Sequence, residues 1–245
     1  MGWVFLDYTR TIEEKINPID LKSTISNLMA KLFPDKWKEY AELKYWKKRK
    51  EKEGELSNEH YKYYYTTHFD LSVEDYNSQR VLDIGCGPRG SLEWADLSEE
   101  RVGLDPLADE YLKLGAKDHE MEYVSSPSEA IPFPDAHFDI VCAFNSLDHV
   151  ADLQKTISEI KRVTKSGGLF LLLVEINHEP TNCEPHMITP QIVDEFKPEF
   201  EPKSLKVYKP DERGLYESIE QNRLYSDPAK VTEPGWLSVK FTRSD

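Results

Sequence analysis

Apolar residues follow two regimes along this chain. Up to about residue 77 they recur at helical spacing among many charges. Behind an Asp20 cap, Leu21, Ile25, Leu28, Met29 and Leu32 share one helical face, and Pro34 ends the segment. Trp37, Tyr40, Ala41, Leu43, Tyr45 and Trp46 predict a second helix over Asp35–Glu53, stopped by Gly54. A third starts at a Ser57 cap and carries Tyr61, Tyr64, Tyr65 and Phe69.

Beyond residue 77 the apolar residues condense into short runs. Arg80–Ile84, Arg101–Leu104, Met121–Val124, Phe138–Phe144 and Gly168–Glu175 read as strands, with Ser204–Tyr208 and Trp236–Thr242 after them. Runs that are apolar on both faces suit a parallel sheet covered on both sides. The linking segments Leu107–Leu114 and Ala151–Thr164 read as helices. In the second, Leu153, Ile157, Ile160 and Val163 share a face, and Gly167-Gly168 follow its end. This alternation predicts an α/β, doubly wound sheet. The expected organisation is a helical extension over 1–77 and a sheet domain over 78–245. Residues 209–235 form an insertion between the last two strands, with one short helix around Leu215–Leu224.

Composition narrows the classes. The 245 residues are 39% hydrophobic and 31% charged, the balance of a folded globular chain. No apolar run reaches the ~18–20 residues of a membrane span. Met1–Arg10 lacks the basic-then-apolar pattern of a signal peptide. The three cysteines, Cys86, Cys142 and Cys183, are widely spaced, so no disulfide framework is expected and a reducing cytoplasm is the simpler setting. Net charge is 31 − 45 = −14, all of it beyond residue 80, where 17 Lys/Arg face 31 Asp/Glu. That balance disfavours nucleic acid as a partner. The stretch Lys44–Lys50 is basic, but Glu39, Glu42, Glu51 and Glu53 offset it, so it reads foremost as a solvated helix face.

The most informative segment is Val81-Leu82-Asp83-Ile84-Gly85-Cys86-Gly87-Pro88-Arg89-Gly90. A buried strand runs into a Gly-x-Gly-x-x-Gly turn, where missing Cβ atoms let a ligand approach the backbone. A second strand follows and ends on Asp105, whose carboxylate suits the two hydroxyls of a ribose. Asp83 sits just before the turn, and Pro88 removes an N–H from it. Both features oppose a pyrophosphate, and so an NAD-dependent oxidoreductase. Both tolerate S-adenosylmethionine, which has no phosphate and carries positive charge.

With these features the chain resembles the class I S-adenosylmethionine-dependent methyltransferases, in particular the broad group acting on small molecules. The resemblance spans about residues 78–178. It rests on Val81–Gly90, Val102-Gly103-Leu104-Asp105, Glu129–Asp139 (EAIPFPDAHFD), Phe144–Val150 (FNSLDHV) and Ile160–Gly168 (IKRVTKSGG), in family order. It implies a Rossmann-like seven-stranded sheet, mostly parallel with an antiparallel last strand. S-adenosylmethionine would be the cofactor and S-adenosylhomocysteine the product. Gly85, Cys86 and Gly87 would lie against the methionine part, and Asp83 would orient its ammonium. Asp105 would hold the ribose and Pro106 the adenine. Ser128 and Glu129 would meet the adenine edge through backbone N–H groups, and Asn145 would sit beside the methionine moiety. Many relatives carry Asp where this chain has Pro127, which leaves Ser126, Ser128 or water for the adenine amino group.

Other candidates keep two readings. His149 is either a general base near the acceptor or a packed ring at the start of a helix. Glu175–His186 is either an acceptor-contacting loop or an ordinary polar one. The spacing of His178, Cys183 and His186 matches no standard zinc pattern, so no metal is expected. One of Tyr61, Tyr64 and Tyr65, Tyr64 foremost, is expected to reach the cofactor from a lid; otherwise these rings are core. The residues after the fourth strand, Asn145-Ser146-Leu147-Asp148, lack the Pro-Pro-aromatic continuation of nucleic-acid base aminomethylation. The expected reaction is methylation of a small molecule such as a sugar, a polyketide or another metabolite, with oxygen favoured over nitrogen or carbon only by general frequency. A non-catalytic scaffold that kept the fold is the alternative from another class. Oligomeric state is not legible.

Overall fold

The computed structural model describes residues 32–56, 58 and 61–245. The helix expected behind Asp20 lies outside them up to residue 31, as does the Ser57 cap. Two compact units are present, Met1–Tyr45 and Trp46–Asp245. Helix α1 is Pro34–Glu53, and Gly54, at φ +81°, ends it. In the first unit, Leu32, Phe33, Tyr40 and Tyr45 are exposed. The second unit includes residues 46–77, which the sequence groups with the extension, and the whole sheet.

After α2 (Tyr61–Tyr65) come two 3-10 turns, Thr67–Phe69 and Glu74–Tyr76. The expected third helix breaks before Phe69. The strands are β1 (Arg80–Ile84), β2 (Glu100–Leu104), β3 (Glu122–Val124), β4 (Phe138–Phe144), β5 (Thr164–Ile176), β6 (Phe200–Tyr208) and β7 (Gly235–Arg243). They form one seven-stranded sheet in the order β3-β2-β1-β4-β5-β7-β6. The first five strands pair in parallel, while β7 pairs antiparallel with both β5 and β6. Helices α3 (Ala108–Lys113) and α4 (Leu153–Val163) fill two of the crossovers. Asp152 caps α4 by accepting from the Lys155 N–H. The β1-to-β2 crossover is all turns, held by three-residue backbone bonds such as Glu93 N–H to Gly90 O at 3.1 Å.

Strand periodicity divides the core. Leu82, Ile84, Val141, Ala143, Phe170, Leu172 and Val174 pack on one face with Ile157, Ile160 and Val163 of α4. Alternate residues, Val81, Ile140, Cys142, Leu171 and Leu173, pack on the other with Tyr65, Phe69, Tyr76 and Leu92. Asp83 has the parity of Val81, so it is delivered to the face covered by the Tyr61–Tyr76 segment.

The tail differs from expectation in extent. β5 starts at Thr164, directly after α4, and β6 starts at Phe200. Pro202 is tolerated because β6 is an edge strand and its ladder shifts register between Pro202 and Ser204. Helix α5 (Ile192–Glu195) was not apparent in the sequence. Helix α6 covers only Leu215–Glu220, because Asn222 turns to φ +48° and Leu224 bridges back to Tyr208. Among the described residues no helix is long and apolar enough to cross a membrane.

His68 joins the N-terminal segment to the sheet. Its buried Nε2 lies 2.8 Å from Ser238 Oγ on β7. Burial, reinforced by the Lys206 charge, lowers its pKa to about 4 from an ordinary 6.5. As pH falls, the unfolded chain therefore takes the proton first. We expect this residue to remove about 2 kcal/mol of stability between pH 7 and pH 5. Urea titrations of wild type and His68→Gln check this: the variant should lose that acid limb.

Candidate active site

The site forms where the parallel strands end. β1 exits into Gly85, Gly87 and Gly90, at φ +72°, +59° and +67°. Such angles strain any residue with a Cβ. At Gly85 the space is also filled, since a Cβ there would lie 2.3 Å from Ser146 Cβ. Ser146 in turn donates to Ile84 O at 2.8 Å, tying the ends of β1 and β4 together. Above Gly87 stands Trp46, whose Cζ2 would be 3.2 Å from an added Cβ. Arg89 lies over the Trp46 ring and pairs with Glu53 at 2.6 Å.

Two carboxylates lie behind this turn. Asp83, 2% exposed, accepts from Tyr65 Oη at 2.8 Å and from Ser91 Oγ. Burial pushes its pKa up to about 7; the two hydroxyl bonds work against that shift, and the Asp105 charge adds to it. Both hydroxyl partners are neutral, so Asp83 lies buried next to no positive charge of theirs. Asp105, at the end of β2, accepts from the Leu107 N–H at 2.9 Å and the Gly87 N–H at 3.4 Å. Thus the loop and the acid are bonded to each other. Gly85, Pro106 and Asn145 are the exposed residues of a strip otherwise built from buried ones, at the ends of β1, β2 and β4. Asn145 reaches there with φ +51°.

The remaining predicted residues are placed as follows. Cys86 is buried and turned inward, its Sγ 2.6 Å from where a Gly103 Cβ would stand. Ser128 Oγ bonds Thr156 Oγ1 at 2.9 Å. Glu129 accepts from the Ala151 and Asp152 N–H groups at 2.7 and 2.8 Å. Both side chains thus brace the start of α4. Tyr64 donates to Glu220 at 3.1 Å and packs on Tyr216 at 4.3 Å, away from Asp83. The tyrosine that meets the acid is its neighbour Tyr65. Sequence reading missed Ser91 and Trp46. The available signal was Asp83 itself, a carboxylate inside an apolar run that requires donors.

Further along the strand ends a second cluster gathers. Leu147–His149 makes a 3-10 turn after β4. The loop after β5 brings His178 Nε2 to 3.5 Å from Asp148 Oδ2, and Glu184 Oε1 to 3.7 Å from His149 Nε2. His186 anchors this loop through Val150 O at 2.9 Å. Burial raises the Asp148 pKa to about 6, with Glu184 and Glu175 adding to the rise while His178 opposes it. Cys183 stands outside this group, at a tight turn around Thr181. The cluster therefore draws on Asp148 and Glu184, which the sequence reading had not singled out as a pair.

Comparison with known proteins gives the family. A family described as "Methyltransferase domain" matches residues 82–172. The ubiquinone/menaquinone biosynthesis C-methyltransferase UbiE of Pseudomonas entomophila is 31% identical over 184 residues, 67% of this chain and 68% of that one. Sterol 4-C-methyltransferase strm-1 of Caenorhabditis elegans is 30% identical over 132 residues, covering 50% of this chain but only 39% of its own length. An S-adenosylmethionine dependent methyltransferase from Mesorhizobium loti shares the fold at TM-score 0.52 and 16% identity, over 69% of this chain and 92% of that one. The chain belongs to the class I S-adenosylmethionine-dependent methyltransferases, and S-adenosylmethionine is the cofactor of that class. The residues present suit it: a turn that glycine alone relaxes into, without a full phosphate-binding set of N–H groups, backed by buried acid.

Proposed function

We propose that this chain methylates an oxygen of a small hydroxylated molecule. One observation carries the reading. Asp148, His149, His178 and Glu184 gather at the ends of β4 and β5, next to the strand end that carries the exposed Asn145. Bound S-adenosylmethionine supplies a methyl group already activated by a sulfonium. The chain's task is then to hold the acceptor in line and remove its proton. His149 is the proposed base, through Nε2, and Glu184 at 3.7 Å stabilises the imidazolium that forms. Asp83 and Asp105 hold the cofactor's ammonium and ribose, with Tyr65 and Ser91 fixing the Asp83 carboxylate.

A second reading, transfer to carbon, is favoured by the names of the two relatives above. Withdrawing a proton from an enol or phenol activates the adjoining carbon as well as the oxygen. The same cluster therefore serves both, and the carbon-13 chemical shift of the transferred methyl group in the product would tell oxygen from carbon.

The test is calorimetric titration of the full chain with S-adenosylhomocysteine and with NADH. Binding of the first and none of the second is expected. Asp105→Ala should weaken S-adenosylhomocysteine by about 1.5–3 kcal/mol, the worth of charge-assisted hydrogen bonds. Unchanged affinity would remove Asp105 from the ribose role.

A further inference from the structure

The cluster beyond the cofactor loop contains more negative and lone-pair character than a general base needs. Asp148 is 1% exposed, and its Oδ1 has no hydrogen-bond partner from another residue among the described ones. An ionised carboxylate oxygen buried in this way is costly unless a cation meets it. Its other oxygen faces His178 Nε2 at 3.5 Å. The opposite ring nitrogen, His178 Nδ1, lies 3.0 Å from Glu179 O. A carbonyl can only accept, so Nδ1 carries the hydrogen, and in the neutral ring Nε2 presents a lone pair. That lone pair points at a carboxylate. Two acceptors facing each other call for a proton or a metal cation between them.

The surrounding atoms complete a donor set. One ligand atom each from Asp148, His149 and Glu184 lies within 4.8 Å of the others. Ligands about 2.1 Å from a shared ion stand somewhat closer together than that, so only side-chain adjustment is needed. Glu184 is already aimed, because Thr181 Oγ1 donates to its Oε2 at 3.1 Å and leaves Oε1 toward His149.

We propose that Asp148, His149 and Glu184 bind one first-row divalent cation, with His178 as a further nitrogen donor beside Asp148. Imidazole and carboxylate together select an ion of intermediate hardness, for which Zn2+ and Mn2+ are the probes. Protein ligands this few leave coordination positions open to water or to an oxygen of the acceptor. That last role rests on the methyl-transfer reading, whereas ion binding does not. With an ion present, His149 would serve as a ligand and not as the base, and an acceptor hydroxyl bound at an open position would be acidified by the cation and would release its proton to solvent water.

The experiment uses the full chain without an affinity tag, stripped with chelator and desalted. It is titrated calorimetrically with Zn2+ and with Mn2+, and bound metal is counted by mass spectrometry. One equivalent of either ion is expected. His149→Gln and Glu184→Gln should each weaken it about ten-fold or more. Glu184 stands on a surface loop, so its variant is expected to fold, which circular dichroism verifies. No binding by the wild-type chain, or equal binding by both variants, overturns the site. In the first case a proton shared by Asp148 and His178 fills the role instead. S-adenosylhomocysteine affinity measured in parallel separates the two ideas. Its loss with the ion retained sinks methyl transfer, and the reverse sinks only the cation.

Discussion

Asp83→Asn is expected to make the ligand-free chain more stable at pH 8 and to weaken S-adenosylhomocysteine about 100-fold. The first half follows from burial. A carboxyl whose pKa rises from 3.8 to about 7 on folding favours the folded state only while protonated. The unfolded chain releases the proton first, so stability drops as pH rises from about 4 through about 7. The full shift corresponds to about 4 kcal/mol above pH 7. Asn cannot ionise, yet its carbonyl oxygen still accepts from Tyr65 or Ser91. The variant should therefore gain about 2–4 kcal/mol at pH 8 and little at pH 4.

The second half follows from charge. The ionised Asp83 is the proposed partner of the cofactor's ammonium, and a charged hydrogen bond out of water is worth about 1.5–3 kcal/mol, the upper part of which is about 100-fold in affinity. Binding by wild type should also strengthen as pH rises through about 7, since the ligand draws out the proton; the Asn variant should lack that slope. Urea titrations and calorimetry at pH 5, 7 and 8 report both halves. A variant that is no more stable at pH 8, and whose binding keeps the wild-type pH slope, would show that Asp83 is not the coupled group.

Gly85→Ala tests the turn itself. The new Cβ would lie 2.3 Å from Ser146 Cβ, far inside contact distance, at a φ of +72°. Neither atom can retreat easily, because Ser146 is fixed to Ile84 O and Gly85 N–H bonds Leu104 O at 2.8 Å. Left-handed strain of about 1–2 kcal/mol and overpacking of about 1–3 kcal/mol add together. A loss on the order of 3–4 kcal/mol in urea unfolding is expected. Ser146→Gly removes the atom that is struck. In the double variant the overpacking part should return while the φ strain stays, giving a coupling of at least about 1 kcal/mol. Strict additivity would place the cost elsewhere.

The sheet was legible because its strands are unusually explicit. A run such as Phe138–Phe144 or Gly168–Glu175 is apolar on both faces and admits few alternatives to a covered central strand. The glycine turn and Asp105 were legible for a related reason, since each needs a particular residue type at a particular strand end. Element limits were less so. The third N-terminal helix stops at Tyr65 because Thr66 leaves the helical region at φ −115° and ψ −96°, angles that no pattern of side chains announces.

By itself, then, the sequence determined the layered architecture, the glycine turn with its two acids and the class of ligand, because strand parity and residue chemistry are local properties. Which tyrosine meets Asp83, and which histidines meet Asp148 and Glu184, was decided only in three dimensions. Tyr64 and Tyr65 are neighbours in the chain, and a rotation of one residue on a short helix sends one to Glu220 and the other to the acid. Asp148 and His178 are brought together by two separate loops leaving parallel strands. Their partnership depends on β4 lying beside β5, a pairing over distance that spacing along the chain does not encode.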